Sequence, residues 1–268
     1  MTITRNLGGW YEYALMAARR VYIYRFNTIF SILLTGVTIY LLTVVWTSAY
    51  AGRAEVGGIA IGQLLTYLTI ANLQVRFLTP DVDEEIRDRI REGQIAFDLN
   101  RPTAYPGMLM ASATGKMAGT LPMLIIGIPV ALVAGEMRPP ESIASGFAYA
   151  GSLLLAWVIA VELNLVIGLL SFWTLELTGF QAMYRLIGNF ATGALIPLWF
   201  MPDLVRVIVQ VLPFQAMAFL PVSIYVGEPA TGNVIGALGV QVLWIGLLVF
   251  GIRWIWNRAF AHTVIQGG

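Results

Sequence analysis

The chain has 268 residues, of which 58% are hydrophobic and 12% charged, with a formal net charge of +1 and a mean hydropathy of +0.75. A soluble domain carries about a quarter charged residues, so this composition excludes a soluble globular protein, and the near-zero charge gives no sign of nucleic-acid binding. With no cysteine there is no disulfide, no thiolate nucleophile and no cysteine metal site, and the one histidine, His262, sits in the tail, where a solvated side chain is the ordinary role.

Taken in order, residues 7–26 alternate aromatic, small and basic positions. Trp10, Tyr13 or Ala14, Ala17, Val21 and Tyr24 fall on one helical face, with Glu12, Arg19 and Arg20 away from its centre. That pattern predicts a helix lying in the membrane interface, with no cleavable signal pattern. Apolar runs then predict six spans, at residues 28–50, 58–78, 117–134, 144–171, 179–200 and 234–256, each judged against about 30 Å of hydrocarbon. Between the fifth and sixth, Pro202, Pro213 and Pro221 cut an apolar stretch over 201–228 into pieces too short to cross. Such pieces predict a re-entrant outer segment, with Asp203 capping the first. The whole chain reads as one all-α transmembrane domain.

One polar island interrupts this pattern. Residues 79–102 hold seven of the 15 acidic residues: Asp81, Asp83, Glu84, Glu85, Asp88, Glu92 and Asp98. Asp81 followed by Glu84 makes a capping box. Asp83 with Arg87 and Glu85 with Arg89 are acid-before-base pairs at i,i+4. Acids fill the first turn, Arg89 and Arg91 fill the last, and Gly93 stands at the C′ position. The predicted surface helix carries a narrow apolar stripe of Val82, Ile86 and Ile90. A solvated loop would explain the charges alone. Ile95, Phe97 and Leu99, ahead of Asn100-Arg101-Pro102, point instead to a surface offered to a partner. The candidate contact residues are Val82, Glu84, Glu85, Ile86, Arg87, Arg89, Ile90, Arg91, Gly93 and Arg101.

Basic residues give the orientation. With both termini inside, Arg5, Arg19, Arg20, Arg25, Arg76, Arg87, Arg89, Arg91, Arg101, Arg185, Arg253 and Arg258 are cytoplasmic, while Arg53, Arg138 and Arg206 are outside.

The order of these features resembles the permease subunits of type 2 ABC transporters (the ABC-2 family). Arg91-Glu92-Gly93-Gln94-Ile95 with Leu99-Asn100-Arg101-Pro102 is similar to that family's first cytoplasmic loop. Gly193-Ala194-Leu195-Ile196-Pro197, Phe200-Met201-Pro202 and Leu212-Pro213-Phe214 are similar to its outer re-entrant segment. The resemblance covers nearly the whole chain. It implies a multi-pass inner-membrane permease working as an exporter, its loop a coupling helix that docks on a separate ABC ATPase. It implies a second permease subunit, identical or different, embedded with it among membrane lipids. It implies no cofactor in this chain, ATP-Mg belonging to the ATPase.

The chemistry of the chain agrees with that division. Gly115-Lys116 is not a P-loop, because Met110 stands where the loop's first glycine belongs and Met117 follows the lysine. No zinc-binding His-Glu-x-x-His or Gly-x-Ser-x-Gly elbow occurs. Gly115 with Gly119 has the small-xxx-small spacing of close helix approach. Lys116, Glu162 and Asn164 are the intramembrane polar candidates, and Glu162 is expected to pair with Lys116 or a polar neighbour rather than to contact substrate. Gln181, Arg185 and Asn189 read as boundary anchors of the fifth span. Two other readings are open: a membrane-embedded enzyme acting on lipid-linked substrates, and a non-catalytic scaffold. Co-purification with an ATPase separates the permease from both.

Overall fold

A computed structural model describes residues 2–78, 82–95, 105–173, 178–228 and 232–266. The helices are α1 (Thr2–Ile23), α2 (Arg25–Tyr50), α3 (Ile61–Leu78), α4 (Val82–Arg91), α5 (Tyr105–Thr120), α6 (Leu124–Ala134), α7 (Ile143–Leu169), α8 (Thr178–Ala191), α9 (Asp203–Gln210), α10 (Phe219–Tyr225) and α11 (Val234–Gln266). Among the described residues, four stretches are long and apolar enough to cross a membrane: Arg25–Tyr50, Gly107–Ala134, Ile143–Phe172 and Val234–Arg258. They match the expected first, third, fourth and sixth spans. The third begins about ten residues before the expected 117, and bends at a 3-10 turn, Leu121–Met123. Pro122 in that turn has no N–H to give the helical ladder.

The expected second and fifth spans are built differently. The second, α3, has 18 residues and is mostly buried, yet carries Gln63, Asn72, Gln74 and Arg76. The fifth ends at Ala191, nine residues short of the expected 200, and the chain turns at Gly193. The two departures have one cause, since α3's polar side chains bond the carbonyls that the broken chain exposes. Tyr67 Oη donates to Gly193 O at 3.0 Å, and Asn72 Nδ2 to Ala194 O at 2.9 Å. Gln74 Nε2 donates to Met217 O at 2.6 Å and Gln63 Nε2 to Val226 O at 3.3 Å. From α11, Gln241 Nε2 donates to Ala216 O at 2.9 Å and to Ser152 O at 3.0 Å. Irregular backbone survives at membrane depth only where protein groups satisfy it in this way.

These bonds also set the path of the broken segment. Met217 lies beside Gln74 and Val226 beside Gln63, so 217–226 runs antiparallel to α3 over about 16 Å of that helix. Every residue of α10 is buried. Three rings, Tyr67, Trp199 and Phe219, pack at 5.0–6.1 Å between centroids where the chain breaks, an arrangement that adds to simple burial. The start of α9 corrects the expected cap: Pro202 takes the N-cap position and Asp203 is the first helical residue, paired with Arg206 at 3.5 Å.

At the N-terminus, much of the face predicted for the lipid interface packs on α5, while Tyr24 stays exposed. A side chain at Gly115 of α5 would stand 2.0 Å from Ala14 O, and one at Gly119 would stand 2.8 Å from Ala18 O. Trp10 lies over Gly107 and Val21 against Gly119. The small residues of α5 are therefore the seat of α1. A two-residue hairpin pairs Glu55 with Ala60 and Val56 with Ile59 across Gly57-Gly58, both at positive φ. Paired glycines fit such a turn.

Candidate functional site

Helix α4 is the most polar helix described and sits at a junction of three others. Its first turn ends an acidic run, and its C-terminus is closed by Gly93 at φ +71°, whose N–H donates to Ile90 O at 3.1 Å. The expected C′ role of Gly93 is therefore what the backbone adopts. Asp81, Phe97, Asp98, Leu99 and Arg101 lie outside the described residues, so the capping box and the Arg101 end of the site have no geometry here.

The apolar stripe faces inward. Val82 and Ile86 have no exposed surface and pack in one cluster with Tyr105, Leu109, Ala113, Val161 and Leu165, with Ile90 at its edge. Ile95 joins the same cluster. Gly168 of α7 makes the room: a Cβ there would lie 2.6 Å from Ile86 Cδ1 and 3.0 Å from Asp83 Cα. This corrects the expectation that Val82 and Ile86 form a stripe offered to a partner. They anchor α4 on its own spans.

The charges divide between two neighbours. Toward α5, Glu85 accepts from Ser112 Oγ at 2.8 Å and pairs with Lys116 at 3.3 Å and Arg89 at 3.8 Å. The Glu85–Arg89 pair is the predicted i,i+4 contact. Toward α8, Gln181 Nε2 donates to Asp83 Oδ2 at 3.2 Å and Gln181 Oε1 accepts from Arg87. Arg185 pairs with Glu84 and reaches Asp83 at 3.9 Å. Asp83 and Arg87, expected as a pair along the helix, thus meet on Gln181 instead, because Asp83 is turned into the protein with its side chain only 2% exposed. What α4 leaves to solvent is its far end: Asp88, Arg91, Glu92, Gly93 and Gln94 are exposed, with Gln94 Nε2 donating to Glu92 Oε2 at 2.8 Å.

The intramembrane candidates do not come together. Lys116, expected near Glu162, belongs to the Glu85 cluster. Asn164 Nδ2 bonds Ala160 O one turn back in its own helix. Glu162 is 5% exposed, and its Oε2 has no hydrogen-bond partner among the described residues. Gln181 and Arg185, read from sequence as boundary anchors, are part of the α4 junction, and Ser112 and Gly168 gave no sequence signal of belonging to it. Asn189 lies elsewhere, in a cavity of about 270 Å³ between α2, α3 and α8 that is also lined by Thr35, Thr38, Asn72 and Arg76.

A family model described as ABC-2 family transporter protein matches residues 17–267. No curated protein matches the chain.

Proposed function

Because the chain belongs to the ABC-2 transporter family, we propose that it is the transmembrane subunit of an ATP-driven exporter, coupled through α4 to a separate ABC ATPase. One observation carries this reading. Helix α4 is fixed to its own spans by Val82, Ile86 and Glu85, yet presents Asp88, Arg91, Glu92, Gly93 and Gln94 outward. A rigid element with a charged outer end can take a push from a partner and deliver it to α5, α7 and α8. Charges at the rim of a contact fix its register and speed its formation. Helix α4 is already folded, so little ordering is needed when the partner binds. In this reading Val82, Ile86 and Ile90 transmit, while Arg91, Gly93 and their exposed neighbours touch the ATPase; Arg101 belongs with them on the sequence pattern alone.

The termini and α4 face the cytoplasm in this proposal, on the bias of basic residues. Six crossings then arise from the four long stretches, α3, and α8 continued by the broken segment. The groove of Thr35, Thr38, Asn72, Arg76 and Asn189 supports a second permease subunit facing this one. Polar and ionisable groups at membrane depth face a protein interior or a water-filled path, not hydrocarbon. Export direction rests on the family resemblance.

The test is charge reversal at the exposed end. Asp88→Lys combined with Glu92→Lys leaves the packed face of α4 untouched. It should abolish co-purification of the ATPase and the stimulation of its turnover, with the chain still inserted in the membrane. Retention of both by the inserted double variant would remove the coupling role from this end of α4.

A further inference from the structure

Between α3, the α5–α6 bend and α7 lies a cavity of about 200 Å³. Its wall runs from Ile70 to Leu78 on α3 and from Tyr149 to Trp157 on α7, about 12 Å along each helix. It is a slot parallel to the helices, far too small for another helix, which is 10–12 Å across. Few of its side chains are polar, and two of them are tied together: Tyr149 Oη donates to Gln74 Oε1 at 3.2 Å, and Gln74 Nε2 donates to Met217 O. A buried water needs two to four polar partners, and a wall made mainly of Ile, Leu, Met and Phe side chains suits hydrocarbon better.

The slot is open on one side. Leu121 and Leu154 at its edge are 48% and 59% exposed, and beyond them the surface carries Ile125 at 80% and Phe147 at 77%. An apolar recess that opens onto an apolar membrane belt meets hydrocarbon. If it stayed empty, its lining would lose dispersion contacts on one side.

We propose that the slot takes a single hydrocarbon chain of a bilayer phospholipid, which enters sideways between the α5–α6 bend and α7. The Leu78–Met117 end of the slot adjoins Lys116, which α4 holds through Glu85. Helix α4 is also fixed to α7 through Val82 and Ile86. The bound chain therefore lies between the two walls that α4 ties together, and fills the gap they leave.

The test uses the full-length protein in phosphatidylcholine vesicles containing a phospholipid with a mid-chain diazirine. After illumination, labelled residues are mapped by peptide mass spectrometry. Ile70 and Leu73 are the decisive positions, because at 4% and 8% exposure they are out of reach of lipid that only surrounds the protein. Labelling at Ile70 and Leu73, alongside Ile125, is the expected result. Leu73→Trp fills the slot and should take labelling at Ile70 to background while leaving Ile125 labelled. Leu153→Phe fills it from the opposite wall if the tryptophan variant does not insert. Wild-type labelling confined to Ile125 and its exposed neighbours, or Ile70 labelling unchanged in a filled variant, would overturn the proposal.

Discussion

Two short helical pieces, α4 and α10, are both held in place by longer helices, with opposite chemistry. Helix α4 is gripped by ionised groups: Glu85 with Lys116 and Arg89, and Asp83 and Glu84 with Arg185. The segment around α10 is gripped by neutral amides and a phenol on α3 and α11: Gln63, Tyr67, Asn72, Gln74 and Gln241. The difference follows the surroundings. Arg185 and Glu84 have about half their side chains exposed, and the more buried Asp83 and Glu85 each keep more than one polar partner, whereas Gln241 has no exposed surface. Ion pairs are tolerable where water shares the field, and a charge at depth costs far more than an amide does. The α4 junction therefore sets charges around the apolar seat of Val82 and Ile86, and the α10 junction uses neutral groups alone.

The largest effect tests whether charges alone hold α4. Ile86→Ala removes a fully buried side chain seated over Gly168 and should cost about 2–5 kcal/mol. Unfolding of the purified protein in detergent would measure it. A loss within error of wild type would mean that the ion pairs suffice and that the apolar seat is incidental.

Next comes an acid introduced at the neutral junction. Gln241→Glu replaces a donor to two carbonyls with a carboxylate at membrane depth, at about 2.5–3.5 kcal/mol. Lower yield of folded protein and a lower unfolding midpoint are expected. An unchanged midpoint would show that water reaches Gln241, and would erase the contrast between the two junctions.

The smallest effect belongs to the charged junction. Arg185→Gln removes a pair with Glu84 in which the two side chains are 52% and 43% exposed, and a longer contact of 3.9 Å with Asp83, which keeps its bond from Gln181, so about 0.2–1 kcal/mol is at stake in the exposed pair after solvent screening. The loss should shrink as salt is raised, because exposed charges are screened. A salt-independent loss of several kcal/mol would place this pair with the buried group.

The long apolar runs of α2, α7 and α11 were legible because length and hydropathy alone decide them. Helix α4 was legible from its pattern of acids before bases and from Gly93. The direction of its stripe was not, since Val82, Ile86 and Ile90 mark one face whether that face meets a partner or the chain's own α7. The end of the fifth span was hidden for a similar reason. Residues 192–200 stay apolar past Ala191, and the groups that accept the break, Tyr67 and Asn72, lie over a hundred positions earlier. The glycines of α5 carried a packing signal that sequence could not assign to α1. Gly57-Gly58 turns a hairpin where the second span was expected to begin, at residue 58, and α3 starts only at Ile61.

The amides of α3 also impose an order on synthesis. Asn72, Gln74 and Gln63 bond carbonyls 122, 143 and 163 residues later in the chain. A ribosome adding about 5–20 residues per second leaves α3 waiting roughly 6–30 s for them. During that interval the amide groups of α3 lack their final acceptors. Helix α3 is also not among the four stretches apolar enough to cross by composition. The polar face of α3 is therefore completed only once residue 226 has been made, so this part of the fold closes late in synthesis.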